Sequence, residues 1–286
     1  MAGVILEERF LEAPGRLRYL IGGSGPPLLL CHGFMGSAEN FETWFDDVSR
    51  RRTLVIPDLP GCGASAPLPG RHTCAALAGA LQPLIGELRL DHFDLGGLCL
   101  GAGVAFEVLA AWPDRVDRLI LHTPLLEPSV VRRRFHRQAT VMTAPGIFSV
   151  INWLARRRWV SDLYKRLVVE GDDVDKASAE ANFRNQLRCN PRAQQQWLRE
   201  GLRRHDAGLL AQHPGETLII VASDDRLLDD AALGDLVEAM PRVHHVRVDQ
   251  AGHGWNEQFV RRQIELLDSF LEGRPLPSGR SGPDQL

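Results

Sequence analysis

Short apolar runs closed by turn residues recur along this chain, and amphipathic stretches separate them. The runs are residues 18–21, 27–31, 53–58, 91–98, 118–122, 216–222 and 243–248. Most are continuously apolar rather than alternating, the pattern of strands covered on both faces. Between them, residues 37–49, 73–88, 101–112, 231–240 and 257–271 carry apolar side chains at helical spacing. Strands alternating with helices predict an α/β fold, with a mostly parallel central sheet flanked by helices. Ligands of such sheets bind beyond the carboxyl ends of the strands.

The alternation breaks once. Residues 127–213 read as helical, rich in arginine and tryptophan, and almost without strand signal. This stretch holds sixteen Lys/Arg against nine Asp/Glu, whereas the rest of the chain is net acidic. A long insertion of this kind reads as a helical lid over the strand ends, placed before the strand at 216–222, or as a plain packing subdomain. Residues 1–126 and 214–272 then form the two parts of one core. The Gly, Pro and Ser content of 273–286 predicts a disordered tail.

Composition narrows the function classes. With 286 residues, 44% of them hydrophobic, the chain can bury a sizeable core. A net charge of −3 gives no electrostatic footprint for nucleic acid or a membrane surface. The first residues, MAGVILEERF, lack the basic start and apolar run of a signal peptide, and no apolar run has the length of a membrane span. A cytoplasmic protein is expected. Its cysteines are Cys31, Cys62, Cys74, Cys99 and Cys189; odd in number and without paired or metal-ligand spacing, they are expected to be free thiols.

Candidate chemistry gathers at Gly97-Leu98-Cys99-Leu100-Gly101, between an expected strand and an expected helix. Gly-x-nucleophile-x-Gly in that setting is a sharp turn that exposes one side chain above the sheet. A lone cysteine is ordinarily a small buried hydrophobe, so the reading needs partners. Gly252-His253-Gly254 follows the last strand, and the strand at 216–222 runs into Ser223-Asp224-Asp225. Nucleophile, acid and histidine therefore occur in that order along the chain.

These residues resemble the α/β-hydrolase superfamily. Leu30-Cys31-His32-Gly33-Phe34 resembles its His-Gly oxyanion loop, and Asp58-Leu59-Pro60-Gly61-Cys62-Gly63-Ala64-Ser65 resembles its D-x-x-G-x-G-x-S turn. The resemblance spans about residues 17–271. It implies that Cys99 is the nucleophile, that His253 is the general base and then acid, and that Asp225 is the acid. Asp224 stays open as an alternative, because the family's G-x-x-D strand end reads Ala222-Ser223-Asp224-Asp225 here. It further implies an oxyanion hole from the Phe34 and Leu100 N–H groups, with His32, Gly33 and Trp255 near the substrate and no metal or cofactor.

The departure from the family is the thiol where serine is usual. A helix N-terminus and a neighbouring histidine both favour a thiolate, and the product of its attack is an acyl-thioenzyme. Similar elbows with cysteine occur in dienelactone hydrolases and polyhydroxyalkanoate synthases. The resemblance thus implies an acyl hydrolase, such as a thioesterase, or an acyltransferase acting on a thioester or lactone. Two other readings stay open: an ordinary carboxylesterase or lactonase with cysteine replacing serine, by nature or by design, and a non-catalytic ligand-binding protein on this fold. The expected partner is a small acyl substrate, carried on coenzyme A or an acyl carrier protein. Arg132, Arg133, Arg134, Arg137, Arg156, Arg157 and Arg158 either face such an acidic donor or form a solvated helical face. Phe148, Trp153, Leu154 and Trp159 line an apolar pocket or belong to plain core.

Overall fold

The computed structural model describes residues 6–12, 15–144, 146–155, 157, 185, 187–253 and 256–277. Its strands are β1 (Glu7–Leu11), β2 (Leu17–Gly23), β3 (Pro27–Cys31), β4 (Thr53–Pro57), β5 (Phe93–Leu98), β6 (Val116–His122), β7 (Glu216–Ala222) and β8 (Val243–Val248). They form one sheet in the order β1-β2-β4-β3-β5-β6-β7-β8. From β4 to β8 neighbours pair in parallel, and β2 runs antiparallel to β1 and β4. All seven apolar runs are strands, within two residues at each end. The eighth, β1, is an edge strand with its first three residues exposed, so no buried run marks it in the sequence.

The helices are α1 (Phe45–Val48), which continues a 3-10 helix at Ala38–Trp44, then α2 (Cys74–Glu87), α3 (Gly101–Ala111), α4 (Arg133–Met142), α5 (Ile147–Ala155), α6 (Pro191–Gly201), α7 (Ala207–Gln212), α8 (Asp230–Val237) and α9 (Glu257–Leu271). Period-two alternation along the central strands sends Leu29, Leu95, Leu121 and Ile219 into one apolar layer with α2 and α3. Leu28, Leu30, Ile120 and Ile220 enter the opposite layer with α9. Thr73 caps α2 by accepting from the Ala76 N–H at 3.1 Å, and Asn256 caps α9 through the Phe259 N–H at 2.8 Å.

Between β6 and β7 lie α4 to α7, with Trp197 and Leu198 of α6 buried. Of the predicted lid, residues 145, 156, 158–184 and 186 fall outside the described residues. The first part of the expected tail makes contacts with the core. Leu276 packs against the α9 layer, and Arg262 donates to the Pro277 carbonyl at 2.7 Å. Residues 278–286 lie outside the described residues.

Two features bring the carboxyl ends of the strands together. The Asp58 carboxylate is fully buried and accepts from Ala38 N–H at 2.8 Å, Ala64 N–H at 2.8 Å and the Arg18 guanidinium at 3.0 Å. It closes the turn after β4, where Gly63 takes a left-handed φ of 53° over it. At Gly101 the β3 backbone comes so close that an added Cβ would lie 2.3 Å from the His32 carbonyl oxygen and 2.4 Å from that of Cys31. Backbone cannot yield as a flexible side chain can. Gly101→Ala is expected to cost about 1–3 kcal/mol by overpacking, read as a lower unfolding midpoint in denaturant.

Candidate active site

β5 ends at Leu98, and the next residue, Cys99, adopts φ 53°. A non-glycine residue in the left-handed region is held there by its surroundings. The Cys99 N–H donates to the His122 carbonyl at 2.9 Å, and its own carbonyl accepts from Ala102 at 3.1 Å. α3 starts two residues on, so the thiol stands at a helix N-terminus. The flanking glycines make this closure possible. An added Cβ on Gly97 would lie 2.6 Å from the Ala102 Cα, and one on Gly33 would lie 3.1 Å from the Leu98 carbonyl and 3.4 Å from the Cys99 Cβ.

His253, in the loop after β8, stands beside Cys99, close enough for the two to influence each other's charge, and donates from Nδ1 to Asp225 Oδ2 at 2.8 Å. Asp225 is buried after β7, and its Oδ1 accepts from the Leu227 and Leu228 N–H groups at 2.7 and 3.0 Å. Asp224 is exposed, and its N–H donates to the Ala251 carbonyl. The carboxylate that meets His253 is therefore that of Asp225.

Charge follows from these contacts. Burial pushes the His253 imidazole down, but the hydrogen bonds and charges of Asp225 and Cys99 outweigh it and raise its pKa to about 10. Burial also pushes Asp225 up, yet His253 and the two backbone N–H groups hold it below the usual carboxylate range. His122, at the end of β6, is pushed down to about 3 by burial and then by the charge of His253, so its ring stays neutral.

The loop after β3 closes with the Gly36 N–H donating to the Gly33 carbonyl at 3.1 Å and Met35 at φ 56°. Among the described residues neither the Phe34 nor the Leu100 N–H donates to another group. The Phe34 ring stands edge-on to Phe148 of α5, centroids 6.0 Å apart. Gly201 of α6 lies against the Leu100 side chain.

Several expected contacts fall elsewhere. His32 is fully buried, with Nδ1 donating to the Gly33 carbonyl at 2.8 Å and Nε2 accepting from the Leu59 N–H at 2.9 Å. Both nitrogens serve the backbone, so the ring shapes the loop. Gly33 contributes by its close approach to Cys99; Trp255 and Gly254 lie outside the described residues. Arg132 donates from Nε to the carbonyls of Asp225 at 3.0 Å and Leu228 at 2.7 Å. It holds the acid loop, a role that arginine counting cannot reveal. Arg133, Arg134 and Arg137 are exposed, and the Arg157 guanidinium lies 4.6 Å from the centre of the exposed Trp153 ring. Phe148 is buried and Leu154 half-buried; Arg156, Arg158 and Trp159 lie outside the described residues. Gln194 of α6, buried against the Met35 N–H, carries no motif and was invisible in the sequence pattern. All five cysteines are free. Among the described residues no helix is long and apolar enough to cross a membrane.

Residues 26–258 match the family model described as alpha/beta hydrolase fold. The chain belongs to this family. The first curated relatives it matches are longer, and the chain spans about a third of their length. An uncharacterized protein of Mycobacterium tuberculosis (strain ATCC 25618 / H37Rv) is 36% identical over 109 residues, 37% of this chain and 31% of that protein. The 2-hydroxy-6-oxo-2,4-heptadienoate hydrolase of Pseudomonas putida (strain F1) is 28% identical across 87% of this chain and 90% of that hydrolase. Among solved structures, a thermophilic esterase from Thermogutta terrifontis superposes with a TM-score of 0.71 at 22% identity, covering 95% of this chain and 99% of the esterase. The enol-lactonase from Burkholderia xenovorans LB400 does so at 0.73 and 16% identity, covering 92% of this chain and all of the lactonase. At these identities the likeness of the two structures is one of fold.

Proposed function

We propose that this protein cleaves an activated acyl donor, a thioester or lactone, through Cys99, His253 and Asp225. The observation that carries the reading is the hydrogen bond from His253 to Asp225, with the ring beside Cys99 on a strained strand-to-helix turn. Relatives matched over most of their length are named hydrolases, which supports an enzyme and favours water as the acyl acceptor over a second alcohol, amine or thiol.

The chemistry runs as a balanced acyl transfer. In this reading His253, with its pKa raised to about 10, carries the proton beside Cys99, whose sulfur is the nucleophile. The sulfur attacks the acyl carbon, and the carbonyl electron pair moves to oxygen, where the Phe34 and Leu100 N–H groups receive it. Collapse breaks the bond to the leaving thiolate or alkoxide, which takes the His253 proton. The sulfur is then a neutral thioester, and His253 has lost one of the two partners that raised it. The ring becomes a base, takes a proton from water, and hydroxide attack releases the acid and restores the thiolate.

Residues 127–213 act in this reading as a lid, since Phe148 packs on Phe34 and Gly201 on Leu100. The exposed arginines of α4 offer a surface to an acidic donor such as coenzyme A or an acyl carrier protein.

Donor preference tests the thiol. When a thiolate attacks an oxyester, the tetrahedral intermediate expels sulfur back more readily than alkoxide; on a thioester two sulfurs compete equally. With serine the two oxygens of an oxyester compete equally, and a thioester expels its own sulfur. Cys99→Ser is therefore expected to lower the ratio of thioester to oxyester kcat/KM by about tenfold. An unchanged ratio would leave the thiol without a specific role.

A further inference from the structure

Gln194 sits on α6, far from the triad in sequence, yet its side chain is buried in the core beneath the oxyanion loop. Its Oε1 accepts from the Met35 N–H at 2.9 Å, and its Nε2 donates to the Cys62 sulfur at 3.0 Å. The amide is thus oriented from both ends.

The Met35 N–H is the group that defines the turn. Gly33 and Gly36 close it by their backbone hydrogen bond, Phe34 has an ordinary negative φ, and Met35 stands at φ 56°. Positive φ at the third position is the type II arrangement, which favours glycine there. It differs from type I by a flip of the central peptide, the one that carries the Phe34 carbonyl and the Met35 N–H. Methionine disfavours this conformation, so something outside the turn must hold it. Gln194 supplies the acceptor that the flipped N–H meets.

The position of Gln194 is itself fixed. The Asn190 N–H donates to the Gly61 carbonyl at 2.7 Å, and the Asn190 side chain caps α6 through the Ala193 N–H at 3.0 Å. Gly61 takes φ 84° to let Ala193 in, and an added Cβ there would lie 2.7 Å from the Ala193 Cβ.

We infer that Gln194 is a positioning residue for the oxyanion hole, strapping the Gly33–Gly36 turn on which the Phe34 N–H is carried. The inference rests on the nucleophile assignment above. It makes the oxyanion hole conditional on the seating of α6, a segment that belongs to the β6–β7 insertion and not to the sheet.

Two reactions of the same thiol separate this role from a general structural one. Acylation by an activated acyl thioester builds charge on a carbonyl oxygen; alkylation by iodoacetamide displaces iodide and needs no oxyanion hole. Gln194→Met keeps the volume and removes the acceptor. It is expected to slow acylation of Cys99 by about 10- to 100-fold, below the full loss of an oxyanion donor, and to leave alkylation within twofold. Gln194→Glu keeps an acceptor oxygen and is expected to acylate within threefold of the native rate. Adding Met35→Gly to Gln194→Met frees the turn from its need of a strap and is expected to restore acylation. Equal losses in both reactions, no loss in either, or no rescue by glycine would overturn the role of Gln194. If Gln194→Met does not fold, the Glu variant decides: acylation and alkylation falling together would overturn the inference, and near-native values for both would uphold it. Failure of iodoacetamide to modify Cys99 in the native protein would instead overturn the nucleophile assignment.

Discussion

His253→Ala is expected to lower kcat/KM on an acyl thioester by about 10⁴-fold, the upper end of what a positioned acid–base group contributes. The same ring performs three acts in the proposed cycle. It stabilises the thiolate as an imidazolium, protonates the leaving group, and takes a proton from water in the second half. Its setting fits all three, since Nδ1 is committed to Asp225 and the ring stands beside Cys99. Alkylation of Cys99 at neutral pH is expected to slow as well, because the counter-charge has gone. KM is expected to change little, because His253 acts on reacting atoms and not on the bulk of the donor. Steady-state kinetics on one thioester, with iodoacetamide labelling beside it, reads both effects. A variant that kept more than a tenth of native turnover would remove His253 from the mechanism.

The second large effect is expected from Asp225→Asn, and the structure dictates why a nearly isosteric change is so damaging. Asp225 Oδ1 accepts from the Leu227 and Leu228 N–H groups. An asparagine keeps its carbonyl oxygen on those two donors, which turns its NH₂ toward His253 Nδ1. The imidazole must then accept at Nδ1 and carry its proton on the face toward Cys99, the wrong tautomer for a base. A loss of about 10³- to 10⁴-fold in kcat is expected, by the same logic as the aspartate of a serine triad. The titration of His253 provides an independent readout. With the carboxylate gone, its midpoint is expected to fall from about 10, since Asp225 supplies the strongest upward pull. The sign for stability follows. A histidine raised in the folded state adds stability that is complete below its unfolded pKa of about 6.5 and lost as pH rises toward 10. Asp225→Asn is therefore expected to flatten the decline of stability across that window. NMR of the ring protons and unfolding curves against pH check the two halves. An unmoved His253 midpoint would contradict the pairing.

The sheet and the strand-to-helix turn at Cys99 were legible because they follow from patterns that physics forces on the chain. Strands covered on both faces must be continuously apolar, and the elbow must have glycines at 97 and 101, where an added Cβ would lie less than 3 Å from backbone. Residues whose work is done by exposed or neutral groups were not legible. β1 is an edge strand with half its surface in water, so it leaves no apolar run. His32 stands in the oxyanion-loop motif, but the sequence does not reveal that its two nitrogens bond the Gly33 carbonyl and the Leu59 N–H. Arg132 reads as one more charge in an arginine-rich stretch, whereas its Nε bridges two carbonyls of the acid loop. Gln194 has no spacing or charge to mark it, and its meaning depends on a contact across 159 positions of sequence. Long-range hydrogen bonds between neutral groups have no sequence period, which is why they appear only in three dimensions.

The account stands on a covalent bond to one sulfur. Mixing the native protein with an acyl thioester, quenching in acid and mapping peptides by mass spectrometry tests it most directly. The predicted result is a mass increase equal to the acyl group on the peptide containing Cys99, formed before product accumulates and absent from Cys99→Ala. No acyl mass on Cys99 during turnover, or turnover that persists in Cys99→Ala, would contradict it.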